Sequence, residues 1–369
     1  MPGRMKPSLL LLAVFLASAG PAYCDFIQQG NDALAKGDLE DAIAQYGQAI
    51  GLDPASVEAY NNRGIARAAK NDHAGAIADF SKAIGLKPGS AYAYVSRAHE
   101  EALMGDLDGA MADSNRGIAL DPGLPTAWFL RGSARFAKGD LDGAIADFSK
   151  AIGLKPDYAD AYFKRGAARQ MKGDLDGAIA DASITIAMKP GFAEADFNRG
   201  MARYLKGDLA GATADFTMAI LLNPNDAAAY DHRGWCKFKR NDFNGATNDA
   251  THAIRLDPKN GYYYGRRGWA RYCQGDVAGA LGDCSQAIGL NRLAKVDDLE
   301  DQGLEYYIMG NFESAAATWE KAIARDPASK LDIQPWVEKA RAQRGAMPLK
   351  LRPFGLRKGS QPSAGHSVV

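Results

Sequence analysis

Arginine and aspartate keep a fixed separation in this chain. Arg63, Arg97, Arg131, Arg165, Arg199, Arg233 and Arg267 are each followed sixteen residues later by Asp79, Asp113, Asp147, Asp181, Asp215, Asp249 and Asp283. Groups in such register can do one of two things: an open arginine stripe binds anions, whereas a matched series neutralises itself inside a fold. The ends of the series decide between them. Gln29 stands with Gln45, and Gln302 with Thr318, so both partners change together. Pairing each aspartate with the next arginine along the chain would set Gln45 against Arg63 and Asp283 against Gln302. The pairs are therefore expected to close internally, as a structural ladder. Arg67, Arg135, Arg169, Arg203, Lys237 and Arg271 lie one helical turn further on and can share the same carboxylates.

The other reactive groups form no catalytic or metal-binding pattern. His73, His99, His232, His252 and His366 have no metal-ligand spacing. Cys24, Cys236, Cys273 and Cys284 are too scattered for a metal site and too few for a disulfide framework at this length. No Gly-rich phosphate loop follows a strand pattern. Acid pairs such as Asp106 and Asp108 fall at a helix start, where negative charge suits the helix dipole. The expectation is a non-enzyme with no catalytic residue, cofactor or metal.

What positions these residues is a period of 34. Pro54, Pro88, Pro122, Pro156, Pro190, Pro224 and Pro258 keep that step, and so do Gly30, Gly64, Gly132, Gly166, Gly200, Gly234 and Gly268, with Ala98 in the one gap. A period of this size means a repeat array rather than separate globular domains. With Gly30 placed at repeat position 8, nine units follow: 23–56, 57–90, 91–124, 125–158, 159–192, 193–226, 227–260, 261–294 and, after one extra residue, 296–329. Each reads as two helices. Position 15 is Gly seven times and Asn twice (Asn71, Asn241), the residues that close a helix in the left-handed conformation. Asp at position 16 caps the second helix, and Pro at position 32 ends it. Glycine also recurs at position 19, early in the second helix, where helix propensity disfavours it.

The aromatic residues at position 4 (Phe26, Tyr60, Tyr94, Trp128, Tyr162, Tyr230, Tyr264), Gly or Ala at 8, Ala at 20 and Pro at 32 carry a resemblance. Over about 23–329 the chain resembles a tetratricopeptide repeat protein. The resemblance implies an all-α, right-handed superhelical solenoid of nine helix-turn-helix units, whose shared property is protein or peptide binding in a groove lined by the first helices. The groove positions 2, 5, 9, 12 and 13 are small or polar in the early units. Aromatics gather there from the fourth unit on: Phe129, Phe136, Phe163, Phe197, Tyr204, Trp235, Phe238, Tyr262, Trp269 and Tyr272. Exposed aromatics on such a wall are the usual anchors of partner recognition, so these ten are the expected binding residues.

The ends complete the organisation. Residues 1–22 place Arg4 and Lys6 before an apolar run and small residues, the pattern of a secretory signal peptide. Residues 330–345 are expected to form a capping helix with Trp336 and Val337 turned inward. Residues 346–369 are basic and loop-like in composition, and are expected to be disordered. Lys plus Arg and Asp plus Glu both number 44, and a zero net charge gives no reason to expect nucleic acid. The sequence thus predicts an exported scaffold, in the periplasm or cell envelope, that binds an unidentified protein or peptide. The alternative is an envelope-organising module tethered by an uncleaved or lipidated N-terminus, with membrane contact confined to that end or the basic tail.

Overall fold

The computed structural model describes residues 7–293, 299–325 and 330–343. Of the expected end segments, residues 1–6 and 346–369 lie outside them. The chain divides into two compact units, 1–190 and 191–369. All described elements are helices, and they pair consecutively, as a tetratricopeptide-type solenoid requires. In the first unit the pairs are α1 (Pro7–Lys36) with α2 (Leu39–Leu52), α3 (Val57–Ala69) with α4 (His73–Leu86), α5 (Ala91–Leu103) with α6 (Leu107–Leu120), α7 (Pro125–Ala137) with α8 (Leu141–Leu154), and α9 (Ala159–Met171) with α10 (Leu175–Met188). In the second they are α11 (Ala193–Leu205) with α12 (Leu209–Leu222), α13 (Ala227–Lys239) with α14 (Phe243–Leu256), α15 (Gly261–Gln274) with α16 (Val277–Leu293), and α17 (Leu299–Ile308) with α18 (Phe312–Arg325), followed by α19 (Lys330–Ala342). One boundary differs from expectation: α1 begins at Pro7 rather than near residue 23, and runs unbroken through the presumed leader junction.

Local chemistry sets each pair. Position 15 has positive φ wherever it occurs, from Gly37 (φ 80°) to Gly310 (φ 79°), and Asn71 and Asn241 reach 63° and 64°. The next residue, for example Asp140, caps the second helix by accepting the backbone N–H of Gly143 at 2.9 Å. The second helices α2, α4, α6, α8, α10, α12 and α14 each end on a residue that precedes proline, as Lys155 does at φ −135°, ψ 90°.

The position-19 glycines are explained by that cap. A Cβ on Gly143 would lie 2.1 Å from Asp140 Oδ2 and 2.9 Å from Arg135 Cδ. The same collision recurs at Gly75, Gly109, Gly177, Gly211, Gly245 and Gly279. Only Asp41 and Ser314 carry a Cβ there. In those two repeats the long charged side chain at position 11 is replaced by Ala33 and Tyr306, and the cap bonds lengthen to 3.1 and 3.2 Å. Position 19 is glycine because a cap carboxylate and a crossing charged arm occupy the space of its side chain.

The arginine–aspartate pairs sit between the two helices of each repeat. Arg165 donates from Nε and Nη2 to Asp181 at 2.9 and 2.7 Å, and Arg169 adds a third bond at 2.8 Å. Bidentate pairs of the same form join Arg63 to Asp79, Arg97 to Asp113, Arg131 to Asp147, Arg199 to Asp215, Arg233 to Asp249 and Arg267 to Asp283. The seven aspartates are only 1 % to 7 % exposed. The remaining guanidinium nitrogen reaches back to the preceding repeat: Arg97 to Ser81, Arg165 to Ser149, Arg131 to Asn115 and Arg267 to Thr251. Position 25 thus supplies an inter-repeat link that the sequence reading did not assign.

Candidate functional site

In the first unit the expected wall residues are half-buried. Phe129 lies 4.9 Å from Tyr158 and 5.8 Å from Phe148, ring centre to ring centre, and is half-buried between them. Phe136 and Phe163 are half-buried as well. Phe129 thus fills space between helices.

The second unit holds the fuller aromatic face. Phe197, on α11, is half-buried between Phe216 (5.5 Å) and His232 (5.6 Å). Trp235, on α13, stacks on Phe238 with ring centres 4.8 Å apart and planes 5° from parallel. Its indole N–H donates to Tyr204 Oη at 3.0 Å, so α11 and α13 present one connected surface. Tyr204, Trp235 and Phe238 are each half-buried. Cations frame them. Lys239 Nζ lies 5.5 Å from the Tyr204 ring and 5.8 Å from the Trp235 ring, and the Arg266 guanidinium lies 5.0 Å from Trp235. Such contacts contribute about 0.5–2 kcal/mol each, depending on desolvation. Tyr262, at the start of α15, is 50 % exposed.

Two expected wall residues are corrected. Trp269 and Tyr272 on α15 are 7 % and 5 % exposed and belong to the core of the second unit. The reason is α19. Its Trp336 lies on both rings, at 5.1 Å from Trp269 and 6.0 Å from Tyr272. The capping helix does not stop at covering α18; it reaches onto the first-helix face.

The sequence reading missed the charges that frame the platform. Arg266 donates to Asp231 Oδ2 at 2.6 Å, while Asp231 Oδ1 is buried without a hydrogen-bond partner. Burial pushes the Asp231 carboxyl up to about 6, against the opposing pull of Arg266. Burial and the same cation push His232 down to about 4, keeping it neutral beside Phe197 and Phe216. The available signal was the doublet Arg266-Arg267, since among the other units with arginine at position 7 only Arg165 has a cation, Lys164, directly before it.

A separate acid–histidine cluster occurs in the first unit. Glu100, 4 % exposed, bonds His73 Nδ1 at 2.7 Å and His99 Nδ1 at 2.9 Å. Its neighbour Glu101 occupies position 11, where most repeats place a cation. Burial pushes its carboxyl up to about 7, helped by nearby Asp113 and opposed by Arg97. Among the described residues no group of three or more His, Cys, Asp or Glu is placed to hold a metal ion. Among them, too, no helix is long and apolar enough to cross a membrane.

The sequence profile described as tetratricopeptide repeat matches residues 27–91 and 163–231, and one described as TPR repeat matches 132–173. No curated protein sequence matches the chain. Among solved structures, a tetratricopeptide repeat protein from Parabacteroides merdae ATCC 43184 is 19 % identical, covering 68 % of this chain and 99 % of its own, with a TM-score of 0.50. PilF of Pseudomonas aeruginosa is 15 % identical over 57 % of this chain and 96 % of its own, with a TM-score of 0.51. YrrB, described as a TPR protein with an unusual peptide-binding site, is 22 % identical over 50 % of this chain and 95 % of its own, with a TM-score of 0.46. The likeness to the Parabacteroides protein and to PilF establishes the fold alone.

Proposed function

The chain is a tetratricopeptide repeat protein, and from that premise we propose that it is an exported scaffold that binds a peptide segment on the first helices of its second unit. Proteins of this family bind protein or peptide partners and are generally non-catalytic. The observation that carries the finer reading is the cation-framed stack of Tyr204, Trp235 and Phe238. Rigid aromatics that are already ordered lose little entropy on binding and present large apolar area, which makes them the usual anchors of an interface. Lys239 beside these rings favours a segment that pairs apolar anchors with an acidic flank, while Arg266 is held by Asp231. Export is supported by Arg4 and Lys6 followed by the apolar run within residues 1–22.

The test is a peptide array overlaid with the full-length chain, its hits then measured in solution by fluorescence polarisation. Trp235→Ala is expected to weaken the hits at least tenfold, which is about 1.4 kcal/mol. Lys239→Glu is expected to weaken the acidic hits and flatten their salt dependence. Hits that ignore both substitutions would refute the site.

A second reading, a scaffold tethered at the envelope by its N-terminus, is favoured by one observation: α1 is continuous from Pro7 to Lys36. Intact mass of the protein isolated from its own cell separates the two. Loss of roughly twenty N-terminal residues supports export with cleavage, and a retained N-terminus supports the tether.

A further inference from the structure

At positions 9 and 12 of the first helices, α13 presents Trp235 and Phe238 half-buried, whereas α15 presents Trp269 and Tyr272 buried. Trp319 of α18 and Tyr307 of α17 cover part of the α15 rings, each at 6.2 Å, and α19 adds to that cover. Trp336 of α19 meets three rings edge-on: Trp269 at 5.1 Å and 71°, Tyr272 at 6.0 Å and 61°, and Tyr307 of α17 at 5.9 Å and 85°. Lys339, three residues on, lies over the Trp336 ring at 5.2 Å and the Tyr307 ring at 5.6 Å. Tyr307 completes the contact by donating to Gln343 Oε1 at 3.1 Å.

Capping alone does not require this. Ile333, Val337 and Ala340 are the buried face of α19, and α19 packs on α18, so they already cover the end of the array. Trp336 extends past that task to helices of two repeats. The helix that carries it is also poorly suited to be permanent. Pro335 lies inside it and removes one i→i−4 hydrogen bond. Its ion pair, Arg341 to Glu320, joins side chains that are 63 % and 43 % exposed, which adds little.

We propose that Trp269, Tyr272 and Tyr307 form a second recognition pocket, for a helical partner segment bearing a tryptophan with a lysine three residues later, and that α19 is its resident occupant, displaced when such a segment arrives. The proposal rests on the first helices being the recognition face. It extends the Trp235 platform, since Phe238 packs against the same aromatic cluster. Aromatic anchors at helical spacing in a groove are one of the recurring modes of peptide recognition. A site closed by its own helix binds a partner with an apparent affinity reduced by the fraction of open molecules.

The probe is a fluorescein-labelled peptide of residues 330–343, with a Trp336→Ala peptide as control. The hosts are the full chain, the full chain with Ile333→Ala and Trp336→Ala, and that variant with Trp269→Ala added. The loosened chain is expected to bind the peptide at least tenfold more tightly than the wild-type chain, the control peptide to bind neither, and Trp269→Ala to lose at least tenfold. A folded, loosened chain that ignores the peptide, or one whose binding survives Trp269→Ala, overturns the proposal. If the loosened chain does not fold, hydrogen exchange on the wild-type chain decides. Amides of α19 exchanging at least tenfold faster than those of α17 and α18 support an exchangeable occupant, and equal protection overturns it. Dimers that form by α19 exchange and vanish with Trp336→Ala would assign the pocket to a second copy and overturn the partner-segment form. None of these readouts involves Trp235, so failure here leaves the platform's own test standing.

Discussion

Replacing Asp181 with alanine tests the ladder where it is most completely buried. Asp181 is 1 % exposed and accepts three charged hydrogen bonds, two from Arg165 and one from Arg169. Breaking a buried pair by removing one partner costs about 3–5 kcal/mol, because the other charge is left without compensation. The structure places this case near the lower end. Arg165 keeps the Ser149 hydroxyl at 3.0 Å and the Tyr162 ring at 5.3 Å, and Arg169 keeps Asp174 at 3.5 Å. The expected loss is therefore about 3 kcal/mol, or roughly a hundredfold in local opening. Repeat arrays lose stability locally, since each repeat contacts only its neighbours. The assay is thus native-state hydrogen exchange resolved to α9 and α10, with α1 to α4 as an internal reference. The control is the apolar pair Arg165→Met with Asp181→Leu, expected to lose less than the single change because the Arg165 charge leaves with its partner, while Arg169 loses Asp181 but keeps Asp174. Unchanged exchange in Asp181→Ala, or an apolar pair as damaging as the single change, would refute the reasoning.

Other substitutions bear on separate parts of the structure. Gly143→Ala should fail to give the roughly 1 kcal/mol that helix propensity offers, because the new Cβ displaces the Asp140 cap and the Arg135 arm; a urea midpoint shifted upward by that amount would contradict the cap explanation. Asn71→Ala should destabilise by about 1–2 kcal/mol, the left-handed penalty for a residue with no local hydrogen bond, and Asn71→Gly should be close to neutral in the same titration. Glu101 holds its proton to about pH 7 when folded, whereas the unfolded chain releases it near the ordinary carboxylate range. The folded state therefore binds more protons in between, and this group's contribution falls as pH rises from about 4.5 to 7. Glu101→Gln should remove that slope and raise stability at pH 8 relative to wild type, and a parallel pair of stability–pH curves would exclude the assignment.

The repeat, its helix ends and its internal ion pairs are legible in the sequence because each depends on residues at fixed offsets within one unit. Position 15 needs a left-handed residue, and the choice of Gly or Asn is visible without coordinates. The Arg–Asp pairing follows from the joint change of both partners at Gln29 and Gln45. What escaped depends on contacts between elements. Position 19 made sense only once the cap carboxylate and the crossing position-11 side chain shared one volume. Trp269 and Tyr272 carry the same signature as Trp235 and Phe238, and nothing in their own repeat tells that Trp336 lies on them. Phe129 and Phe197 were read as wall residues from helical phase alone. Phase assigns a face, but the size of the neighbouring side chains decides how open that face is.

The account's central claim is that recognition runs over the first helices of the second unit. Site-specific photo-crosslinking in the protein's own cell tests it most directly, with the reactive residue placed once at Tyr262, on a first helix, and once at Met218, on a second helix. The two positions are 50 % and 45 % exposed, so accessibility does not separate them. The account predicts a defined adduct from position 262 that disappears with Trp235→Ala, and none from position 218. An adduct from position 218 alone, indifferent to Trp235, would contradict it.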